Sequence, residues 1–194
     1  MKTVFVDVDT QLDFLYPAGA LYVSGAERIV TAVEQLNRYA AGRGIAVLST
    51  TDAHAENDPE FAQWPPHCIA GTWGQHKAAA SLLEKRVVIP NRECTMALEG
   101  AQQIIVEKQS IDVFQARNLA RVLQNLNADQ FVIYGVVTEI CVASAARGLL
   151  RLQKSVAVLA DAVKELQPEG ANRTFDEIRS LGGRVSTVSE ICRA

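Results

Sequence analysis

Short apolar runs alternate with amphipathic segments along most of the chain. Runs rich in Val, Ile, Leu and Phe are typical of buried β-strands, and segments in which apolar residues recur three or four positions apart predict helices. The predicted strands are residues 3–8, 45–51, 87–89, 104–106, 131–134, 156–159 and 184–188. The predicted helices are residues 25–41, 76–85, 116–127, 139–153 and 169–181.

This alternation predicts an α/β fold in a single domain over residues 1–194, a three-layer Rossmann-like sandwich with a mostly parallel sheet of about six strands. The hydroxyl of Ser24 is expected to cap the first helix while Glu27 reaches back to its start. Residues 52–74 show no regular pattern and contain Pro, His, Trp and Gly. A loop of this length is usually functional or disordered, and its aromatic residues argue against disorder.

Composition and charge limit the kinds of molecule that this protein is expected to bind. The chain has 19 Lys and Arg against 22 Asp and Glu, with no basic stripe for nucleic acid. No apolar run is long enough to span a bilayer, and Asp7 and Asp9 interrupt the first run in a way unlike a signal peptide. The four cysteines are scattered without a CxxC pair, so they favour neither disulfides nor a thiolate zinc site. We therefore expect a cytoplasmic protein that binds neither nucleic acid nor a membrane.

Chemically useful side chains follow several of the predicted strands. Asp9, Asp52 and Lys108 each come directly after an apolar run, and Cys141 follows the strand at 131–134. In a parallel sheet the carboxyl ends of the strands meet at one edge, where ligands bind. We therefore expect these four side chains to lie near one another.

Cys141 is the candidate nucleophile. Gly135 permits a sharp turn after the strand, and Thr138 is a plausible N-cap, so Cys141 falls in the first turn of the next helix. The helix dipole there favours a thiolate, and the free N–H groups can hold an oxyanion. A lone cysteine in this place is also well explained as a small buried apolar residue. Asp9 and Lys108 are candidate partners, although each taken alone suits a turn residue or a surface charge.

A metal site is the second candidate. In Asp52-Ala53-His54 the two ligand types are two residues apart, which lets both point the same way in an extended segment. His67 lies in a proline-stiffened stretch, and Glu60 or a water can complete the shell. Such a set suits zinc, iron(II) or manganese, but the spacing alone leaves open whether a metal binds. Cys68 is expected to point away from its neighbour, and His76 to lie on a helix surface.

These segments together resemble the isochorismatase-like cysteine hydrolases, and within them the nicotinamidases. The matching pieces span most of the chain in the order that the family has. They are Asp9-Thr10-Gln11-Leu12-Asp13-Phe14, Gly19-Ala20-Leu21, Asp52-Ala53-His54, Trp64-Pro65-Pro66-His67-Cys68 with Gly71-Thr72, Glu107-Lys108, and Gly135 through Val142.

The resemblance implies a role for each of these residues. It implies a catalytic triad, an oxyanion hole formed by backbone N–H groups, a cis peptide bond between Val136 and Val137, one divalent metal ion with zinc favoured, and a small-molecule amide substrate. It also implies a homo-oligomer, since relatives are often dimers or tetramers. The implied residues are Asp9, Lys108 and Cys141 for the triad, Val137 and Cys141 for the oxyanion hole, Asp52, His54 and His67 with Glu60 as a fourth metal ligand, and Phe14 and Trp64 against the pyridine ring.

Other functions remain open at this point. Leu12, Ile140 and Trp73 depart from the family pattern, and the last two could reshape the pocket for another small amide, a carbamoyl compound or a vinyl ether of the isochorismate type. The first strand also resembles that of haloacid-dehalogenase-like phosphatases, with Asp7 as nucleophile and Asp9 as acid. A non-catalytic nucleotide-binding module is disfavoured because no glycine-rich phosphate loop follows a predicted strand.

Overall fold

The fold is that of a computed structural model, which describes residues 1–193. Seven parallel strands form one sheet in the order β3-β4-β2-β1-β5-β6-β7. This confirms the α/β class, with one strand more than the sequence predicts and with every strand of the sheet parallel. The strands are β1 (Thr3–Val8), β2 (Ala46–Asp52), β3 (Arg86–Ile89), β4 (Gln103–Lys108), β5 (Gln130–Val136), β6 (Ser155–Lys164) and β7 (Arg184–Ser186).

Helices cover both faces of the sheet, as the apolar runs predict. They are α1 (Leu12–Leu15), α2 (Val30–Gly42), α3 (Leu119–Leu126), α4 (Ala143–Arg151), α5 (Pro168–Ser180) and α6 (Val188–Cys192). Alternate side chains of β1 divide between two buried clusters, with Val4 and Val6 facing α3 and α4 and Phe5 facing α2. Both faces of β1 are therefore buried. The fold has three layers because helices must cover each of the two faces of the sheet.

One helix prediction is wrong, and tertiary contacts explain why. Residues 76–85 form no helix beyond a short 3-10 turn at Ala79–Ser81. The Lys77 ammonium is buried instead against Asp7 at 3.3 Å and the Thr50 carbonyl at 3.1 Å, and the Ala78 N–H donates to the Thr10 carbonyl. His76 is accordingly exposed on a bend rather than on a helix.

The first long helix begins differently from the prediction. A 3-10 turn at Ala26–Ile29 precedes α2, and Gly25 occupies the capping position with a φ of 82°. Ser24 therefore does not cap the helix. The Glu27 carboxylate accepts a hydrogen bond from the Tyr22 hydroxyl at 2.7 Å instead of reaching back to the helix start.

The other predicted elements are present with shifted ends. The strand predicted at 184–188 ends at Ser186, because Thr187 and Glu190 form a capping box that starts α6. The helix predicted at 139–153 becomes α4 preceded by a wide π-type turn at Thr138–Val142. No helix among residues 1–193 is both long and apolar enough to cross a bilayer.

Candidate functional site

Four side chains meet where β1, β2, β4 and β5 end. Asp9 follows β1, Asp52 closes β2, and Lys108 closes β4 in direct register with Asp52. Cys141 lies in the turn after β5. The prediction that these residues converge on one edge of the sheet is therefore confirmed as geometry.

Lys108 is the centre of this cluster. Its Nζ lies 3.0 Å from Asp9 Oδ2 and 3.9 Å from Cys141 Sγ, and it donates a short hydrogen bond to Asp52 Oδ1. The Lys108 side chain is 1% exposed, so its charge is compensated by protein groups rather than by water. A surface charge is thereby excluded for this lysine.

The carboxylate of Asp9 is held by a hydroxyl as well as by the lysine. Thr50 donates from Oγ1 to Asp9 Oδ1 at 2.5 Å and accepts from the Asp9 N–H at 3.2 Å. Burial alone would raise the pKa of Asp9, but the Lys108 charge and the hydrogen bonds from Thr50, Lys108 and Cys141 bring that pKa below its ordinary value. Asp9 is therefore ionised and placed as a proton acceptor.

Asp52 behaves differently although it shares the same lysine. Burial is the largest influence on its pKa, and the nearby charge of Asp9 acts in the same direction, so the pKa of Asp52 rises to about 6 despite Lys108. For Lys108, burial lowers the pKa, but the charges of Asp52 and Asp9 outweigh it and raise the pKa well above its ordinary value. The lysine thus remains a fixed positive charge beside the sulfur.

Cys141 lies in the first turn of its helical segment, as predicted, but two details differ. Val137 rather than Thr138 is the N-cap, and the Thr138 hydroxyl is buried without a hydrogen-bond partner. Burial raises the pKa of the Cys141 thiol well above its ordinary value; the charge of Lys108 acts to lower that pKa, and the charges of Asp9 and Asp52 act to raise it further. These influences favour the thiol, against the helix dipole, which favours a thiolate. The peptide bond between Val136 and Val137 is cis, as the resemblance implies.

A second cluster lies beside the first. Ligand atoms of Asp52, His54 and His67 all fall within 4.8 Å of one another, and all three residues are buried. Glu60 Oε1 lies 4.0 Å from the Nε2 atoms of both histidines. The loop that the sequence leaves irregular thus brings together the predicted ligand set.

The hydrogen-bond partners of the two imidazoles also suit a bound metal ion. His67 Nδ1 donates a hydrogen bond to the Pro65 carbonyl at 2.8 Å, which keeps the proton on Nδ1 and leaves Nε2 with its lone pair. Both ring nitrogens of His54 are buried without an aligned hydrogen bond. A buried nitrogen without a partner is costly, and a cation between Asp52, His54 and His67 would satisfy it.

An apolar cavity connects the two clusters. Asp9 and Cys141 lie at one part of its wall and Asp52, Glu60 and His67 at another. The remaining wall is mostly aliphatic and aromatic, formed by Phe14, Leu21, Tyr22, Val23, Trp64, Ile111, Val136, Val137, Ile140 and Leu166.

The two residues that the resemblance places against the substrate ring lie in this wall, together with one of the residues that depart from the family pattern. Phe14 and Trp64 line the cavity, and the Phe14 ring lies 5.4 Å from that of His67. Ile140 also lines it, whereas Trp73 lies elsewhere, 54% exposed in a depression with Leu12. The prediction that Trp73 could reshape this cavity is therefore wrong.

The sequence analysis assigned no role to four residues of the site. Thr50 holds Asp9, and Asp58 lies with Oδ2 at 3.0 Å from His54 Nδ1. The Gln11 side chain accepts from the Asp52 N–H at 2.6 Å and donates to the Asp52 carbonyl at 2.9 Å. Phe61 packs against both imidazoles, with ring centroids 5.3 Å and 5.7 Å away. Only Asp58, four residues after a histidine in a metal-type motif, has a spacing that could have drawn attention.

The remaining candidate groups lie outside the site. Cys68 donates to the Gly74 carbonyl and is not among the clustered ligands, in agreement with the expectation that it points away. The Asp7 carboxylate is 0% exposed and accepts from Thr10 and Ser49 at 2.7 Å and 3.1 Å, away from the cavity wall. A phosphatase nucleophile at Asp7 therefore has no access to substrate.

Comparison with known proteins agrees with this geometry. The family model for the isochorismatase domain matches residues 90–190, just over half of the chain, which include Lys108 and Cys141. The nicotinamidases of Saccharomyces cerevisiae and Escherichia coli are 23% and 24% identical, over 93% and 94% of this chain and 96% and 93% of theirs. The crystal structure of the pyrazinamidase of Pyrococcus horikoshii in complex with zinc is 28% identical, with a TM-score of 0.82, covering 96% of this chain and 99% of that one.

Proposed function

The chain belongs to the isochorismatase family, and on that premise we propose that it is a metal-containing cysteine amidohydrolase that converts nicotinamide to nicotinate and ammonia. The observation that carries the proposal is the placement of Cys141, Asp9 and Lys108 at one cavity with the Asp52, His54 and His67 cluster. A thiol, a base and a fixed cation supply the parts that nucleophilic catalysis requires.

In the first step Asp9 takes the proton of the Cys141 thiol while the sulfur attacks the carboxamide carbon. Because the pKa of Asp9 is low and that of Cys141 is high, this transfer is uphill in the free site, and the thiolate forms only as it attacks. Lys108, 3.9 Å from the sulfur, stabilises the negative charge that moves onto it.

The carbonyl oxygen becomes an oxyanion as the C–S bond forms. The N–H groups of Val137 and Cys141, on the segment that lines the cavity, are the proposed donors to it. Asp9 then returns its proton to the nitrogen as the C–N bond breaks and ammonia leaves. A water molecule hydrolyses the remaining thioester, with Asp9 again as the base, and this restores the thiol.

The metal would be held by Asp52, His54 and His67, with Glu60 as the fourth protein group. Zinc, iron(II) and manganese all suit this set of ligands. When bound, the cation would supply an electrophilic coordination position that orients a basic ring nitrogen of the substrate, so its role would be to position the amide rather than to polarise it. Phe61 keeps the two imidazoles packed in place.

The character of the cavity wall favours a neutral aromatic amide. Phe14 and Trp64 can contact the two faces of a flat ring, and Ile140 and Leu166 close the apolar wall. Among the described residues that form the wall there is no Lys or Arg. A carbamoyl compound or an isochorismate-type vinyl ether that carries a carboxylate finds no Lys or Arg partner on this wall, so the wall favours a neutral amide over these substrates.

The test is ammonia release from nicotinamide by the wild type, Cys141→Ala and Cys192→Ala, each with and without chelation. We expect release that Cys141→Ala abolishes, that chelation suppresses and that Cys192→Ala leaves unchanged, since Cys192 lies in α6 away from the cavity. No release from a folded, metal-loaded wild type would remove nicotinamide as the substrate. Release that survives Cys141→Ala would remove the nucleophile.

A further inference from the structure

The Asp58 carboxylate touches two of the groups proposed to hold the metal. Its Oδ2 lies 3.0 Å from Nδ1 of His54, and its Oδ1 accepts a hydrogen bond from the Glu60 N–H at 2.9 Å. The Asp58 side chain is 8% exposed and that of His54 is fully buried. One carboxylate thus lies between the imidazole of one ligand and the backbone of another.

This arrangement has a direct consequence for the protonation of His54. A neutral imidazole carries one proton, and only the nitrogen without it can bind a metal. The Nε2 atom faces the cluster, 3.9 Å from Asp52 Oδ1, whereas Nδ1 faces Asp58. An anion beside Nδ1 attracts the proton to that nitrogen and leaves the lone pair on Nε2.

The second contact acts on Glu60. Asp58 is the N-cap of the 3-10 turn Pro59–Ala62, and this turn carries the Glu60 side chain toward the two histidines. The same cap fixes Phe61, whose ring packs on both imidazoles. The position of the turn and the tautomer of His54 therefore depend on one residue.

We propose that Asp58 is the positioning residue of the metal site: it holds the proton of His54 on Nδ1 and the Pro59–Ala62 turn in place, so that His54 Nε2 and Glu60 present lone pairs to one divalent cation. This inference rests on the proposed metal site and concerns a residue that does not itself touch the cation.

The informative substitution is Asp58→Asn. Asparagine is isosteric and is an equally good N-cap, so its oxygen can still accept from the Glu60 N–H. Its amide N–H₂ group then faces His54 Nδ1 and favours the tautomer with the proton on Nε2. The cap is kept while the proton is moved to the wrong nitrogen.

Asp112→Asn is the matched control. Asp112 is likewise the N-cap of a 3-10 turn, Val113–Gln115, and its Oδ1 accepts from the Phe114 N–H at 3.0 Å. No histidine contacts it among the described residues. A general effect of replacing a capping carboxylate would appear equally in this variant.

The first measurement is zinc affinity, by competition with a chromogenic chelator. We expect Asp58→Asn to bind zinc about 10- to 100-fold more weakly than the wild type, and Asp112→Asn to bind within about twofold. Equal affinity of Asp58→Asn and the wild type would overturn the inference. Equal weakening in both variants would assign the effect to the cap and overturn it as well.

The second measurement separates this inference from the proposed metal site. Nitrogen-15 NMR of the imidazoles in the metal-free protein reports the tautomer directly. We expect His54 to carry its proton on Nδ1 in the wild type and on Nε2 in Asp58→Asn. If the wild type binds no metal, the metal site fails and this measurement still decides the role of Asp58, since an unchanged tautomer contradicts it.

Discussion

At the scale of single residues, the environment of a side chain decides its role more than its type. Asp9 and Asp52 are both buried and both contact Lys108, yet the pKa of one falls and that of the other rises to about 6. The Thr50 hydroxyl donates to Asp9 and lowers its pKa, whereas the charge of Asp9 acts to raise the pKa of Asp52. A candidate proton acceptor and a candidate metal ligand thus differ in their hydrogen-bond donors and in the charge beside them.

This difference predicts the pH profile of Thr50→Val. Asp9 must be ionised to accept the thiol proton, so kcat/KM falls as the pH drops through the pKa of Asp9. Loss of the Thr50 donor raises that pKa, and we expect the acid limb of the profile to move to higher pH. We expect this limb to move by about 1–2 pH units, the worth of one hydrogen bond to a charged group.

The control for this variant is its neighbour in the same strand. The Thr51 hydroxyl is buried without a hydrogen-bond partner, so Thr51→Val removes a similar group without breaking a bond. We expect its pH profile to coincide with that of the wild type. If the pH profile of Thr50→Val also coincides with that of the wild type, Thr50 does not control the pKa of Asp9.

At this scale the sequence points to candidate residues but not to their states. Residue type and position after a strand mark Asp9, Lys108 and Cys141 as candidates, and their catalytic roles stay predictions. The state of the thiol depends on how much water the folded chain excludes and on the distance to two carboxylates. Neither quantity is encoded locally, so the place of Cys141 at the start of a helical segment does not by itself decide the state of the thiol.

At the scale of elements, apolar strands are predicted well and helix ends poorly. All seven strand runs are present because the signal of each is its own apolar composition, although the edge strands β3 and β7 are only partly buried. Residues 76–85 lose their helix to the contacts of Lys77, and Thr187 starts a short helix where a strand was expected. Helix ends depend on which groups satisfy the terminal N–H and carbonyl groups, and those groups are often distant in sequence.

The junction of β5 and the cysteine turn depends on one glycine. Gly135 has a φ of 116°, and a Cβ added there would lie 2.1 Å from the Val8 carbonyl oxygen of β1. Gly44, with a φ of 67°, has open space around the same position. The two glycines separate the steric cost of a side chain from the backbone cost.

We expect Gly44→Ala to lower the free energy of unfolding by about 1–2 kcal/mol, the cost of a left-handed alanine. We expect Gly135→Ala to lower it by more than about 3 kcal/mol, because backbone atoms of β1 must also move. Denaturant unfolding measures both, and soluble yield replaces it if Gly135→Ala does not fold. An equal loss of unfolding free energy in the two variants would show that the backbones of β1 and β5 move apart at little energetic cost.

At the scale of the whole molecule, the loop between β2 and β3 completes the site that the strands begin. His54, Glu60 and His67 come from this loop and meet Asp52 at the sheet edge. A cation bound there ties the loop to the sheet, and binding to the folded state alone stabilises it. A single domain over residues 1–194 and a homo-oligomer stay predictions at this scale.

We therefore expect zinc to raise the thermal unfolding temperature of the metal-free protein. At a concentration 100 times the Kd, the gain is about 2.7 kcal/mol, or roughly 5–10 °C for a chain of this size. The gain should shrink as the pH falls, because protons compete with the metal for the same ligands. His67→Ala is the control, and a gain as large in that variant would place the zinc elsewhere.

By itself, the sequence determined the fold class and which polar residues follow the strands to one edge of the sheet. Both are carried by local patterns: buried strands by runs of apolar residues, and the edge of the sheet by the polar residue that follows each run. The tertiary structure alone decided which charges neutralise one another, where Asp58 and Thr50 act, and that Trp73 lies away from the cavity. These depend on distances between residues far apart in the chain, and on the exclusion of water that only packing produces.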